Sequence, residues 1–203
     1  MHESVKEELI GKIILAIENM YSKEPSKSPW FPRIVSRQAM DRIEKLMQHG
    51  KIRYGGQIDI ERKYIAPTII DDIQPEYPVM QEEIFGPVLP VLTFRDLQEP
   101  VRYINAHEKP LALYYFGKSS NAESVISKTS SGGGCINDTI IHIANHRVPF
   151  GGVGNSGMNK YHGFSSFLAF SNQRGIAESP TWLDIPFRYP PFRNFKMVKR
   201  IVI

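Results

Sequence analysis

Residues 80–91 read Met-Gln-Glu-Glu-Ile-Phe-Gly-Pro-Val-Leu-Pro-Val. The Gly86-Pro87 pair forces a bend, and the apolar run after it reads as a buried strand. Two adjacent carboxylates, Glu82 and Glu83, stand just before the bend. On extended chain Glu83 and Phe85 share one face, because side chains alternate with a period of two. A carboxylate beside an aromatic ring suits a ribose diol next to a flat heteroaromatic ring. A charged turn ahead of a core strand is the plainer reading of the same residues. Glu82 is expected to face solvent.

The flanking sequence alternates strand and helix patterns. Ser4-Val5-Lys6-Glu7 has the spacing of a capping box, and Val5, Leu9, Ile10, Ile13, Ile14, Ile17 and Met20 mark one helical face. Ser22 to Pro32 reads as a loop. A second helix starts at Ser36, turns Met40, Ile43, Leu46 and Met47 inward and stops by Gly50. Strand patterns follow at 51–54, 64–70 and 88–94, the first two separated by Gly55-Gly56. Asp96 opens a helix to about His107, with Pro100 in an early turn. A strand at 111–116 is followed by a second capping-box pattern, Ser120-Asn121-Ala122-Glu123, and a helix to Thr129. A last short strand is expected at 134–137. This order predicts an α/β fold with a mainly parallel sheet and flanking helices.

The bulk numbers exclude several function classes. The 203 residues are 41% hydrophobic and 23% charged, ordinary for a globular domain of one core. The net charge of +4 is scattered and makes no basic stripe with interleaved aromatics, so nucleic acid is not an expected partner. No apolar run reaches membrane-spanning length. The single cysteine, Cys135, excludes an internal disulfide and suits a reducing, cytoplasmic location. A lone cysteine of this kind is read as a small core residue. The abrupt start at Met1 suggests a fragment or a truncated reading frame.

Gly152-Val153-Gly154-Asn155-Ser156-Gly157 matches G-x-G-x-x-G, with Glu178 further on. Pro149 stands where the strand of a dinucleotide fold should end, and Gly163 where its helix should run, so a tight turn carrying Phe150 is expected instead. His142 and His146 are four apart. On a helix they would face one side; the isoleucine-rich segment favours extended chain, where they lie about 13 Å apart. No metal site is expected.

Several of these stretches together resemble the aldehyde dehydrogenase family. Glu83-Ile84-Phe85-Gly86-Pro87 resembles the family's Glu-Ile-Phe-Gly-Pro motif. Pro149-Phe150-Gly151-Gly152 with Ser156-Gly157 resembles its C-terminal signature. Val153-Gly154-Asn155-Ser156-Gly157-Met158 with Tyr161-His162-Gly163 is similar to the class 3 branch, which includes fatty-aldehyde enzymes. Lys63–Ile69, Lys109–Tyr114, Ser130–Gly133, Asn137-Asp138 and His142 fit the same branch, and the likeness runs nearly the whole chain.

The resemblance implies an aldehyde dehydrogenase catalytic-domain fold over 1–163, with a dimerisation segment and tail over 164–203. It implies NAD(P)-dependent oxidation of an aldehyde to a carboxylic acid. Glu83 would bind the ribose of NAD or NADP, and Phe85 would pack at the nicotinamide side. Ile140, Ile143, Ala144, Phe150 and His162 would line the aldehyde pocket, although the isoleucines also suit a plain core. In the family the catalytic cysteine and general base lie upstream of the matching region. The chain alone is therefore expected to be inactive, with no catalytic residue of its own, and to need a missing N-terminal half or to form a homodimer. A silent oligomerisation module is the alternative. The end, 192–203, is short, basic and amphipathic, and suits a partner surface, its own domain or an anionic membrane.

Overall fold

The computed structural model describes residues 1–184, 189–191 and 199–200. Helix α1 (Lys6–Tyr21) and α2 (Arg37–Leu46) lead into strands β1 (Lys51–Tyr54), β2 (Ile58–Asp59), β3 (Tyr64–Ile65) and β4 (Thr68–Asp71). Next come the short helix α3 (Pro78–Gln81), β5 (Val88–Pro90), α4 (Gln98–Ala106), β6 (Ala112–Tyr115), α5 (Ser119–Lys128) and β7 (Gly133–Ile136). The helical turn α6 (Ile141–Ala144) and α7 (Gly163–Ala169) complete the order.

Strand β4 is the centre, with all four residues buried. Its neighbours Ile69 and Ile70 point to opposite faces, as a strand's period of two requires. Ile69 packs with Ile10 of α1, while Ile70 packs with Met40, Ile43 and Leu46 of α2. One strand thus holds a helix on each side. Truncating fully buried Ile70 to alanine would cost about 2–5 kcal/mol.

Beside this core, a parallel β6–α5–β7 unit buries Ala122 and Val125 of its helix. The α/β class stands. Among the described residues, two ladders are parallel (β4–β5 and β6–β7) and two antiparallel (β1–β4 and β2–β3), in three small sheets. Gly55-Gly56 and the Ala66-Pro67 break turn the 51–71 segment back on itself, which makes antiparallel partners where the strand–helix alternation alone implied parallel ones.

Helix α2 begins as expected, with the Ser36 hydroxyl accepting the Ala39 N–H at 3.1 Å. Pro100 lies in the first turn of α4, where its missing donor costs nothing. The two capping boxes do not form. Ser4 sits inside a short 3₁₀ turn, Glu3–Val5, because His2 Nδ1 takes the Ser4 N–H and the chain beside it pairs with Phe94. At Ser120 the helix has already begun, after Lys118.

The segment around His142 is a helical turn, not extended chain. The basic end, 192–203, lies outside the described residues except for Lys199 and Arg200. Among the described residues no helix is long and apolar enough to cross a membrane.

Candidate functional site

The bend after α3 is held from α2. Arg42 Nη1 donates to the Glu83 carbonyl oxygen at 3.0 Å, and Nη2 donates to the Ile84 carbonyl oxygen. Arg42 Nη1 also lies 3.6 Å from Glu82 Oε1. Glu82 is therefore an ion-pair partner and not simply a solvated charge. Glu83 contributes its carbonyl to Arg42, and its carboxylate has no partner among the described residues. Gly86 packs against Ile43, where a Cβ would come within 2.6 Å of Cδ1, so a larger residue would require the buried Ile43 side chain to shift.

Ile84 points into the α2 core, while Glu83 and Phe85 on either side of it are exposed. The backbone leaves the extended region at Phe85, with φ of +44°, and leaves the ring 76% exposed. A bulky side chain in left-handed backbone is an uncommon and strained state.

A second cluster gathers around Phe150. Phe150 and Tyr161 exchange both backbone hydrogen bonds, at 3.0 and 2.9 Å. The intervening loop is too tight for side chains at its first two glycines: a Cβ on Gly151 would meet the Asn159 oxygen at 2.3 Å, and one on Gly152 the Ser156 oxygen at 2.1 Å. Lys160 Nζ donates to the Gly151 oxygen at 3.1 Å and to the Gly132 oxygen, which ties the loop to the start of β7. Only a 3₁₀ turn, Gly154–Ser156, follows the Gly-x-Gly run before α7, so the loop lacks the helix that a dinucleotide fingerprint requires.

The rings form a chain. Phe150 lies 5.6 Å from His142, 5.6 Å from Tyr161 and 6.3 Å from His162; His162 lies 5.1 Å from His146. His162 Nδ1 is 3.2 Å from the Val148 carbonyl oxygen, which fixes the ring. Of the expected pocket residues, Phe150 and His162 are brought together. Ile143 is half-buried, and Ala144 and Ile140 are exposed. Ile140 has φ of +63°, which is a marked departure for a β-branched residue.

These five enclose neither of two cavities found elsewhere. One, of about 390 Å³, is lined by Glu18, Lys23, Tyr54 and Tyr64 among others; the second, of about 560 Å³, lies along β7. His142 and His146 do not face each other: His142 is buried beside Cys135, and His146 is exposed. Cys135 is half-buried, not a core residue, because β7 is a sheet edge.

Arg42, Tyr161 and Lys160 are the contributors that sequence reasoning missed. Tyr161 stood inside a quoted motif. Arg42 carried no local signal, being 41 residues from its partner.

The aldehyde dehydrogenase family profile matches residues 1–176. The chain belongs to the aldehyde dehydrogenase family. It is 44% identical over 201 residues to aldehyde dehydrogenase family 3 member B1 of Rattus norvegicus, covering 97% of this chain and 43% of the relative. It is 41% identical to the dimeric NADP-preferring aldehyde dehydrogenase of Bos taurus, covering 94% of this chain and 81% of that sequence. A solved structure described as the substrate-bound state of Staphylococcus aureus AldH superposes with a TM-score of 0.82 at 39% identity, over 100% of this chain and 45% of that one. The chain thus spans less than half of the rat aldehyde dehydrogenase it matches. The class 3 resemblance of the Tyr161-His162-Gly163 stretch agrees with these relatives.

Proposed function

We propose that this chain supplies the cofactor-side and pocket-side contacts of an enzyme that oxidises an aldehyde to a carboxylic acid with NAD or NADP. The carrying observation is the Glu83–Phe85 bend, where Arg42 holds the backbone and leaves an unpartnered carboxylate beside an exposed aromatic ring. This carboxylate acceptor and ring suit a ribose diol and a flat heteroaromatic ring. The bound dinucleotide would supply a hydride acceptor.

Glu83 would accept two hydrogen bonds from the diol, each charge-assisted and worth about 1.5–3 kcal/mol. Phe85 would pack at the nicotinamide side. Arg42 keeps both from drifting, and small misplacements at such a site are costly. Ile140, Ile143 and Ala144 would give the aldehyde an apolar surface, with Phe150 and His162 neighbouring each other nearby. Ile140 and Phe85 both keep positive φ, and backbone strain of this kind gathers at binding sites.

The thiol nucleophile and general base are not assigned to residues of this chain. The assembly is a homodimer, a reading supported by the name of the bovine relative, which calls that protein dimeric. The lone thiol supports a cytoplasmic location.

The test joins this chain to the N-terminal part of the rat relative that it does not match. Aldehyde-dependent NAD(P)H formation is expected from the joined protein and not from the 203-residue chain alone. Turnover by the isolated chain that disappears in Cys135→Ala would overturn the assignment.

A further inference from the structure

We propose that the cavity between the end of α1 and strands β1 and β3 binds a zwitterionic α-amino acid with an apolar side chain. Glu18 takes the ammonium; Lys23 and the hydroxyls of Tyr54 and Tyr64 take the carboxylate. The site is separate from the Glu83 bend and does not depend on it. The cavity has a volume of about 390 Å³, within the range of small-molecule sites.

Tyr64 is the residue that points to a ligand. It is only 5% exposed, and its hydroxyl has no hydrogen-bond partner among the described residues. A buried tyrosine hydroxyl ordinarily finds one. This hydroxyl is not sealed in the core, since among the described residues the one fully buried, unpaired side-chain polar atom is His142 Nε2. Its outlet is the cavity that Tyr64 lines. The ring is fixed in place. Phe31 stands edge-on to it at 5.7 Å, Tyr21 backs Phe31 at 5.0 Å, and the Arg33 guanidinium lies 5.2 Å over the ring. Arg33 in turn donates to the Phe31 and Ser26 carbonyl oxygens, at 2.8 and 2.6 Å.

Tyr54 and Glu18 share that side of the sheet. Tyr54 pairs opposite Ile69, and both pack in the group of Ile10 on the α1 face. Ile65 goes into the α2 core, which turns its neighbour Tyr64 to the other face. Burial first, then the Glu18 charge, push the Tyr54 hydroxyl up. Burial raises Tyr64 as well, against the Arg33 guanidinium, with Tyr54 adding to the rise. Both phenols therefore stay protonated at neutral pH and can donate.

The charges select the ligand. Glu24 is paired with Lys27, whereas Glu18 and Lys23 have no ion-pair partner among the described residues. One such charge of each sign fits a molecule that carries both. A plain carboxylate would meet Glu18 and a plain amine would meet Lys23, and like charges brought together are penalised. Pro25 and Pro67, both buried, give the side chain an apolar wall.

The test is titration calorimetry of the full 203-residue chain with L-phenylalanine, which is expected to bind saturably at one molecule per chain. 3-Phenylpropionate lacks the ammonium and phenethylamine lacks the carboxylate; each should bind about tenfold more weakly or worse. Tyr64→Phe should weaken phenylalanine binding about tenfold without lowering the melting temperature, because the hydroxyl bonds to nothing within the chain. Glu18→Gln should weaken phenylalanine and leave 3-phenylpropionate no worse. The absence of saturable phenylalanine binding would overturn the proposal, as would equal affinity for the three compounds or unchanged affinity in Tyr64→Phe. If Tyr64→Phe does not fold, Glu18→Gln with phenylalanine and 3-phenylpropionate decides.

Discussion

Arg42 reaches across 41 residues of sequence to hold Glu83 by its backbone, with Nη1 3.0 Å from the Glu83 carbonyl oxygen. The same guanidinium takes the next carbonyl as well. A planar fork can satisfy two adjacent acceptors, which an ammonium cannot do with the same geometry. Arg42→Ala is expected to lower the unfolding free energy by about 2 kcal/mol. Arg42→Lys should recover less than half of that in urea melts. Full recovery by lysine would mean that charge, not fork geometry, holds the bend.

Glu83 and Glu82 should separate cleanly by substitution. In the joined enzyme, Glu83→Gln keeps the shape and loses the charge, so cofactor affinity should fall about tenfold or more with melting unchanged. Glu82→Gln removes a half-exposed ion pair at 3.6 Å, worth at most about 1 kcal/mol. Cofactor titration and melting of both variants are the measurements. The reverse pattern would show that the cofactor-facing carboxylate is Glu82.

Asp71 should make stability depend on pH. It is buried between Lys6 at 2.6 Å and Arg53 at 3.0 Å. Burial alone pushes its carboxyl up; bonds from Lys6, the Asp72 backbone and Arg53 outweigh this and leave it below its ordinary value. A depressed carboxylate stabilises the fold above its unfolded value and loses that contribution as pH falls through the folded one. Asp71→Asn should therefore cost about 3 kcal/mol at pH 7. The gap from the unaltered chain should close as pH drops below about 4. A gap constant from pH 7 to pH 2 would rule out the carboxylate as its source.

Ile140 tests strain against function. Its φ of +63° with 61% exposure means that little packing is lost on removing the side chain. Ile140→Gly should stabilise the chain by about 1 kcal/mol, since glycine enters this region freely. In the joined enzyme it should raise KM for long-chain aldehydes. Destabilisation in thermal melts would show that the side chain packs more than its exposure implies.

The isolated chain should self-associate. Phe164, Phe167, Leu168 and Phe170 are 72%, 63%, 55% and 90% exposed on and just after α7. Clusters of this size drive association. Light scattering should show species above the monomer, with hydrophobic-dye binding. A monodisperse monomer that binds no dye would refute this.

Much of the chain was written locally. Ser36 as a cap, the inward row Met40, Ile43 and Leu46, and the 51–54 strand each rest on neighbours a few residues away, so a linear reading finds them. So do the family motifs around Glu83 and Phe150, because each is a run of adjacent residues. The failures were local rules overruled from a distance. Ser4 should cap α1, yet pairing of the first residues with Phe94 turns it into a 3₁₀ turn instead.

What the sequence alone determined was the α/β class, the inward face of α2 and the motifs that mark the family, whereas Val5, Leu9 and Met20 of the face expected for α1 are exposed. Only the tertiary structure decided that Arg42 holds the Glu83 bend, that Phe150 gathers Tyr161, His142 and His162, and that Cys135 meets a buried imidazole. The physical reason is common to all of these. Periodicity and capping act over one turn or one pleat, whereas a hydrogen bond or ring contact between elements depends on how two packed faces come to rest.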